Sequence, residues 1–401
     1  MTDLFWPGDH LAGGLMSDDA LLYAMVAVEQ RWLSGLVDAG IAPEEARAEL
    51  TGLISDGDSA TIARRADIDG NPVSPLVALL RERCPAAPST WLHRGLTSQD
   101  ALDTALILCA RDVLVRVRQE CVRQTNALAV LTESHRTTPA LARTLTQAAS
   151  PSTLGANVAR WLTGVLDAAE PLTELCSSLP AQIGGAVGNL AATAELAGSV
   201  ERAIALVDAV AADLQLASVT PWQTTRSTIT RLGDALATCC DAWSHIASDV
   251  ATGSRVEIGE LAEGTGGGSS TMPHKNNPVR AVLIRRAALA APGLAATLHA
   301  ASAASVDERA DGAWHAEWAT LRTLARHTVV AAVHTSELVE GLQVDEARAA
   351  ANLAAAQGVR SEQDAMVELT GRAARSDYLG ATDRMIDVTL SRARLFAKET
   401  S

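Results

Sequence analysis

Apolar residues recur on a helical period through most of this chain, over stretches longer than an ordinary globular helix. From Asp103 to about Leu131 they fall at 106, 110, 113, 114, 117 and 128, with Arg111, Arg116, Arg118, Glu120 and Arg123 between them. That is the pattern of a helix with one buried stripe. Comparable patterns run from Thr153 to about Leu179, from Glu195 to about Leu216, from Ser227 to about Thr252, and from Pro278 through an uncharged stretch, Ala287 to Val306. Most helical stability in proteins comes from packing an apolar face, so five such helices in succession predict an all-α fold with an elongated central bundle. Alanine at many contact positions lets helices approach closely and favours association between copies of the chain; a composition bias accounts for the same alanines equally well. Alternating β-branched runs are nearly absent, and neither a heptad array nor a repeat of about 20 to 50 residues is present.

Smaller helical domains flank this bundle. Ser17 can cap a helix carrying Asp18 and Asp19 in its first turn and Gly40 as its stop, and turns such as ISDGDS and DIDGNPVSP separate further short helices. The expected divisions are 1–92, an N-terminal helical domain; 93–336, the long-helix bundle; and 337–401, a short C-terminal helical domain opening near VDEARAAANLAAAQG.

At 401 residues the chain has ample length for a core. Its formal charge of -14 repels nucleic acid and anionic membrane surfaces, so neither is an expected partner. A small anionic substrate stays open if Arg, Lys and helix N-termini reverse the field inside one cleft. The six cysteines, at 84, 109, 121, 176, 239 and 240, lack Cys-x-x-Cys or zinc spacing and read as reduced thiols of a cytoplasmic protein. MTDLFWPGDH has no export pattern. Ala287 to Val306 could span a bilayer by length alone, but its Ala, Ser, Gly, Thr and Pro content is too weakly apolar to insert and suits a protein bundle.

One segment breaks the helical composition: EGTGGGSSTMPHKNNPVRA, 263–281. A phosphate-binding loop would need Gly-x-x-x-x-Gly-Lys-Ser/Thr, and Lys275 stands between His274 and Asn276 instead. A dinucleotide fingerprint lacks its third glycine and its preceding strand. Two readings remain, a flexible surface linker and a mobile lid. In the second, Gly266 to Gly268 supply freedom to swing, and a serine becomes a usable base if Lys275, backbone N–H groups and a helix dipole stabilise its alkoxide away from water.

GGGSSTMPHKNNP resembles the Gly-Ser-Ser-x-Met-Pro-x-Lys-x-Asn-Pro signature of the fumarase/aspartase superfamily, whose members add or eliminate groups beta to a carboxylate. LHRGLTSQDALDTA, 92–105, and RTLTQAASPSTLG, 143–155, are similar to its two other signature segments. The resemblance covers most of the chain and implies an all-α, fumarase/aspartase-like fold. It makes Ser269 the general base, with Lys275 its catalytic partner and, with Asn277, a holder of the adjacent carboxylate. Thr97 and Ser98 would bind another carboxylate, and His93, Gln147 and Arg309 would complete the shell. Taken singly, His93 and Gln147 read as satisfied polar residues, Thr97 and Ser98 as helix caps and Arg309 as a surface ion pair. The resemblance further implies homotetramers whose active sites draw on three subunits, an anionic polycarboxylate substrate, and no metal, nucleotide or organic cofactor.

Leu145 departs from the pattern. Relatives that expel an amine or hydroxide carry His immediately after this Thr, and leucine donates no proton, so the departing group here must be stable as an anion. With the opening 33 residues, GNPVSPLV, QIGGAVGNLA, PWQTTR and GLQVDEARAAANL, this resembles the 3-carboxy-cis,cis-muconate cycloisomerase branch. A lyase releasing nitrite would tolerate Leu145 equally, an adenylosuccinate-type lyase is a weaker alternative, and a silent structural relative is a third. Gln223 stands where His is expected, and the C-terminal domain reads as shortened.

Overall fold

Capping explains where the helices start. In the computed structural model, which describes residues 3–55, 57–268, 271–272 and 276–399, the Ser17 side chain accepts from Ala20 N–H at 3.0 Å and opens the helix Asp18–Asp38. Ser199 and Asp345 do the same for Val200–Asp213 and Glu346–Ala355. Five long helices dominate: Ser98–Ser134, Leu154–Ser177, Ser227–Gly253, Val279–Ala303 and Gly312–Glu340. Four match the long sequence patterns. The fifth expected helix, 195–216, is instead two, because Gly198 takes φ 79° and Ser199 caps a new start.

The chain divides into two compact units, Met1–Val115 with Thr173–Asp234 and Gly293–His327, and Arg116–Leu172 with Ala235–Pro292 and Thr328–Ser401. The divisions fall inside the five long helices. In the first unit Trp32, Leu33, Leu36, Leu76, Leu80 and Leu102 are sealed from solvent, each aliphatic side chain contributing about 1.5–3 kcal/mol relative to exposure. A charged cluster lies within the same unit. Arg226, wholly buried, takes Asp103 on one side, at 2.7 and 3.1 Å, and Glu317 on the other. In the second unit Trp243 Nε1 donates to Gln124 at 2.7 Å, Gln124 donates to the Ala332 carbonyl at 3.0 Å, and Ser336 donates to Glu120 at 2.7 Å.

The second unit also holds β structure. β1 (Pro139–Thr144) and β2 (Gln147–Thr153) pair antiparallel, joined by Leu145 and Thr146 at φ 47° and 70°. Two successive left-handed residues make the type I′ geometry favoured in hairpins. β3 (Leu261–Ala262) and β4 (Gln343–Val344) add one short pair. Neither was expected, since a turn without glycine or asparagine and strands containing Pro139 and Pro151 carry little local signal.

Val279–Ala303 is long and apolar enough to cross a membrane by length and composition alone. Ala281, Ile284, Ala287, Ala291, Ala295 and Leu298 make it a packed bundle helix with one buried stripe. Its other side leaves Val282 54% and Leu289 82% exposed.

Candidate active site

The LHRGLTSQD segment turns sharply before its helix. His93 and Gly95 take φ 61° and 87°, and the backbone on either side of His93 is pinned by Arg81 on the Leu92 carbonyl at 2.8 Å and Trp32 Nε1 on the Arg94 carbonyl at 2.7 Å. Thr97 occupies the cap position of Ser98–Ser134: Asp100 reaches back to accept its N–H at 2.9 Å, while the Thr97 carbonyl accepts from Asp100 and Ala101. The Thr97 and Ser98 hydroxyls make no hydrogen bond with any described residue. Two hydroxyls beside a helix N-terminus form a donor set for an oxyanion.

Asp100 organises this corner. Its buried carboxylate accepts from Thr97 N–H, Gln182 Nε2, Gly184 N–H and Gly185 N–H, all between 2.9 and 3.1 Å. It thereby ties the helix start to the QIGG loop. Gln223 braces the same loop, donating from Nε2 to the Gly185 carbonyl at 2.7 Å and accepting at its own carbonyl from Gln99. A β-carbon at Gly188 would stand 2.6 Å from Gln223 Oε1, so glycine is needed there. Arg309 is exposed, and its guanidinium lies 5.6 Å from the centre of the Trp314 ring. This is a cation–π contact where an ion pair was the plain reading. The Trp314 indole N–H donates to Asp103 at 2.9 Å, and Asp103 also accepts from Gln99, so Arg309 is linked to the helix that starts at Ser98.

Gln147 and Asn277 belong to the second unit. Gln147 is exposed at the hairpin, beside Leu145, which is 94% exposed. Asn277 pairs with Gly267 through two backbone hydrogen bonds, of 3.0 and 2.9 Å, which close the glycine loop at its base. Ser269 and Lys275 lie outside the described residues. The loop's stem is clamped: buried Glu263 accepts from Arg280 and Ala281 N–H at 3.1 and 2.7 Å, capping Val279–Ala303 from a distance. Several of the loop's glycines also answer a need for space. A β-carbon at Gly266 would collide with the Asn276 side chain, one at Gly267 with Val279, and one at Gly264 with the Gly341 carbonyl. Among the described residues, nothing lies within 4 Å of a β-carbon placed at Gly268.

The profile of a family described as Lyase matches residues 65–293, more than half of the chain. The chain is 41% identical over 350 residues to the nitrosuccinate lyase of Streptomyces davaonensis, covering 84% of this chain and 73% of that protein. It is 36% identical over 363 residues to the 3-carboxy-cis,cis-muconate cycloisomerase of Pseudomonas aeruginosa, covering 88% and 76%. The chain belongs to the fumarase/aspartase superfamily. Its fold agrees: the 3-carboxy-cis,cis-muconate lactonizing enzyme of Pseudomonas putida superposes with a TM-score of 0.84 at 28% identity, over 96% of this chain and 97% of that one.

Membership in the fumarase/aspartase superfamily brings lyase and isomerase chemistry to this chain at the superfamily level. Of its signature residues, His93, Thr97, Ser98 and Arg309 lie in the first unit and Gln147 and Asn277 in the second. Among the described residues, neither unit alone holds the whole set. Sequence reasoning missed the buried carboxylates that support them, Glu29 beneath His93, Asp100 beneath Thr97 and Glu263 beneath the glycine loop. Only Asp100 carried a local signal, as the acid three residues after a capping Thr.

Proposed function

We propose that this superfamily member is a cycloisomerase acting on 3-carboxy-cis,cis-muconate and closing it to 4-carboxymuconolactone. One carboxylate oxygen of the substrate bonds to a carbon of its own conjugated system. The displaced electron pair moves toward a second carboxylate, and Ser269 delivers a proton to the carbon beside that carboxylate. Lys275 and Asn277 stabilise the charge as it develops, and Thr97 and Ser98 hold a further carboxylate with His93, Gln147 and Arg309 around it. Attack by a tethered group is intramolecular, so holding the substrate curled does much of the work.

The observation that carries this reading is Leu145. A side chain with no proton to give stands at the hairpin tip, and a carboxylate needs none as it leaves or attacks. Identity to a cycloisomerase in sequence and likeness to a lactonizing enzyme in fold support the same choice. A second reading has its own support in the 41% identity to a nitrosuccinate lyase: nitrite also departs unprotonated, after Ser269 removes a proton from carbon. Purified protein given each acid separates them, by loss of the conjugated diene's ultraviolet absorbance in one case and release of nitrite in the other. Ser269→Ala should abolish whichever occurs, and full activity in a properly assembled Ser269→Ala protein would end both readings.

We take the working form to be a cytoplasmic homotetramer with sites shared between subunits. The six free thiols support the compartment. The exposed Leu289, Val282 and Leu145 support burial against further copies.

A further inference from the structure

Nothing in the sequence marks Glu29, which sits within VAVEQRWL on the helix Asp18–Asp38. In the structure it is wholly buried, with Oε1 2.6 Å from His93 Nδ1. Its Oε2 is also buried and has no hydrogen-bond partner among the described residues. The backbone that carries His93 is constrained. The residue is held in the left-handed region, which a side chain other than glycine adopts only when its surroundings impose it, and the carbonyls on either side are fixed by Arg81 and Trp32. The ring keeps 16% of its side-chain surface open, and Nε2 makes no hydrogen bond with any described residue.

We infer that Glu29 is a positioning residue: it holds the proton of His93 on Nδ1 and keeps the imidazole cationic, so that Nε2–H is offered to a substrate carboxylate beside the Thr97 and Ser98 hydroxyls. The inference deepens the proposed function and rests on its placing His93 in the substrate shell. The geometry argues for it because a buried carboxylate with one bare oxygen needs a counter-charge, and the imidazolium is the group in contact with it. A hydrogen bond from Nδ1 also settles which nitrogen faces outward. The charged groups around the ring are Glu29 from the first long N-terminal helix, Asp100 from the start of Ser98–Ser134, and Arg81 from Val73–Arg83. Burial alone lowers the proton affinity of His93, but attraction and hydrogen bonding by Glu29, helped by Asp100 and opposed by Arg81, leave it raised.

Removing the charge while keeping the shape tests this. In Glu29→Gln the amide oxygen can still accept from Nδ1–H, but burial then dominates and the ring is neutral at pH 7, turning a lone pair toward the substrate. The expected result is a rise in KM of about tenfold or more, the worth of a charge-assisted hydrogen bond, with kcat much less affected. The limb of kcat/KM that falls as His93 loses its proton should move to lower pH. Nuclear magnetic resonance of histidine-labelled protein, with His93→Gln to assign the signal, reads the same change without any substrate. Wild-type His93 should titrate above its ordinary value of about 6.5, with the proton on Nδ1. If Glu29→Gln does not fold, that wild-type titration still decides. A His93 titrating below the ordinary value, or one whose titration and pH limb are unmoved in Glu29→Gln, overturns the inference. Failure to turn over any candidate acid while the titration behaves as stated overturns the proposed function instead.

Discussion

Arg226 and Asp103, neither with any exposed side-chain surface, meet through two hydrogen bonds of 2.7 and 3.1 Å. Glu317 accepts from the same guanidinium, so one cation serves two sealed carboxylates. Burial raises the proton affinity of Glu317, Arg226 lowers it, and Asp103 adds to the rise. Removing one partner of a buried pair costs more than the pair contributes, because the remaining charge keeps its desolvation penalty. Arg226→Leu should therefore destabilise the protein by about 3–5 kcal/mol. Urea unfolding should show a smaller loss at pH 5 than at pH 8, since protonation relieves the stranded carboxylates. An equal loss at both would mean that packing, not charge, is what Arg226 supplies.

Asp100 gives stability a pH dependence of definite sign. Burial, opposed by hydrogen bonds from Thr97, Gln182, Gly184 and Gly185, pushes its carboxyl up to about 6, against about 3.9 in an unfolded chain. As pH rises the unfolded chain releases this proton first. The contribution of Asp100 to stability thus falls between about pH 4 and pH 6 and is level above that, by on the order of 3 kcal/mol. Asp100→Asn should remove this part of the slope when unfolding is followed at fixed protein concentration across that range. A slope identical to wild type would refute the assignment.

Leu145→His tests the claim that no acid is needed at the hairpin tip. If the departing or attacking group is a carboxylate, turnover of 3-carboxy-cis,cis-muconate should stay within about threefold of wild type, far below what a useful general acid supplies. A gain of about a hundredfold or more would show that the reaction had been short of a proton donor.

Shared sites predict rescue between defective chains. When Ser269→Ala and Thr97→Val chains are mixed in equal amounts and assembled together, each inactive alone, about one quarter of the sites should combine an intact Ser269 with an intact Thr97, if these come from different subunits of a symmetric oligomer. Steady-state assays should recover roughly that fraction of wild-type activity. No recovery at all would place both residues of a site on one chain.

Four of the five long helices were legible because each carries a long stretch in which buried and solvent-facing residues share one period; in Ser98–Ser134 that stretch begins at Arg111, after a start buried on all sides from Gln99 to Ala110. Gly312–Glu340 was not, since from Leu324 to His334 all but His327 are buried and periodicity fades in a helix covered on most sides. The candidate site divides the same way. Thr97, Ser98 and Asn277 sit in compact motifs whose spacing is visible in the chain. Glu29 acts on a residue 64 positions away and Glu263 caps a helix 17 positions on, and no local pattern encodes such contacts.

The crowding around Gly264, Gly266 and Gly267 bears on how the loop would be judged by deep mutagenesis. Screened for folding alone, with no substrate present, these three positions should already disfavour alanine, Gly264 most because it faces backbone and Gly266 least because it faces a movable side chain, whereas Gly268 meets none of the described residues. Intolerance at the first three would thus record want of space, and only a defect at the fourth could be credited to motion or chemistry.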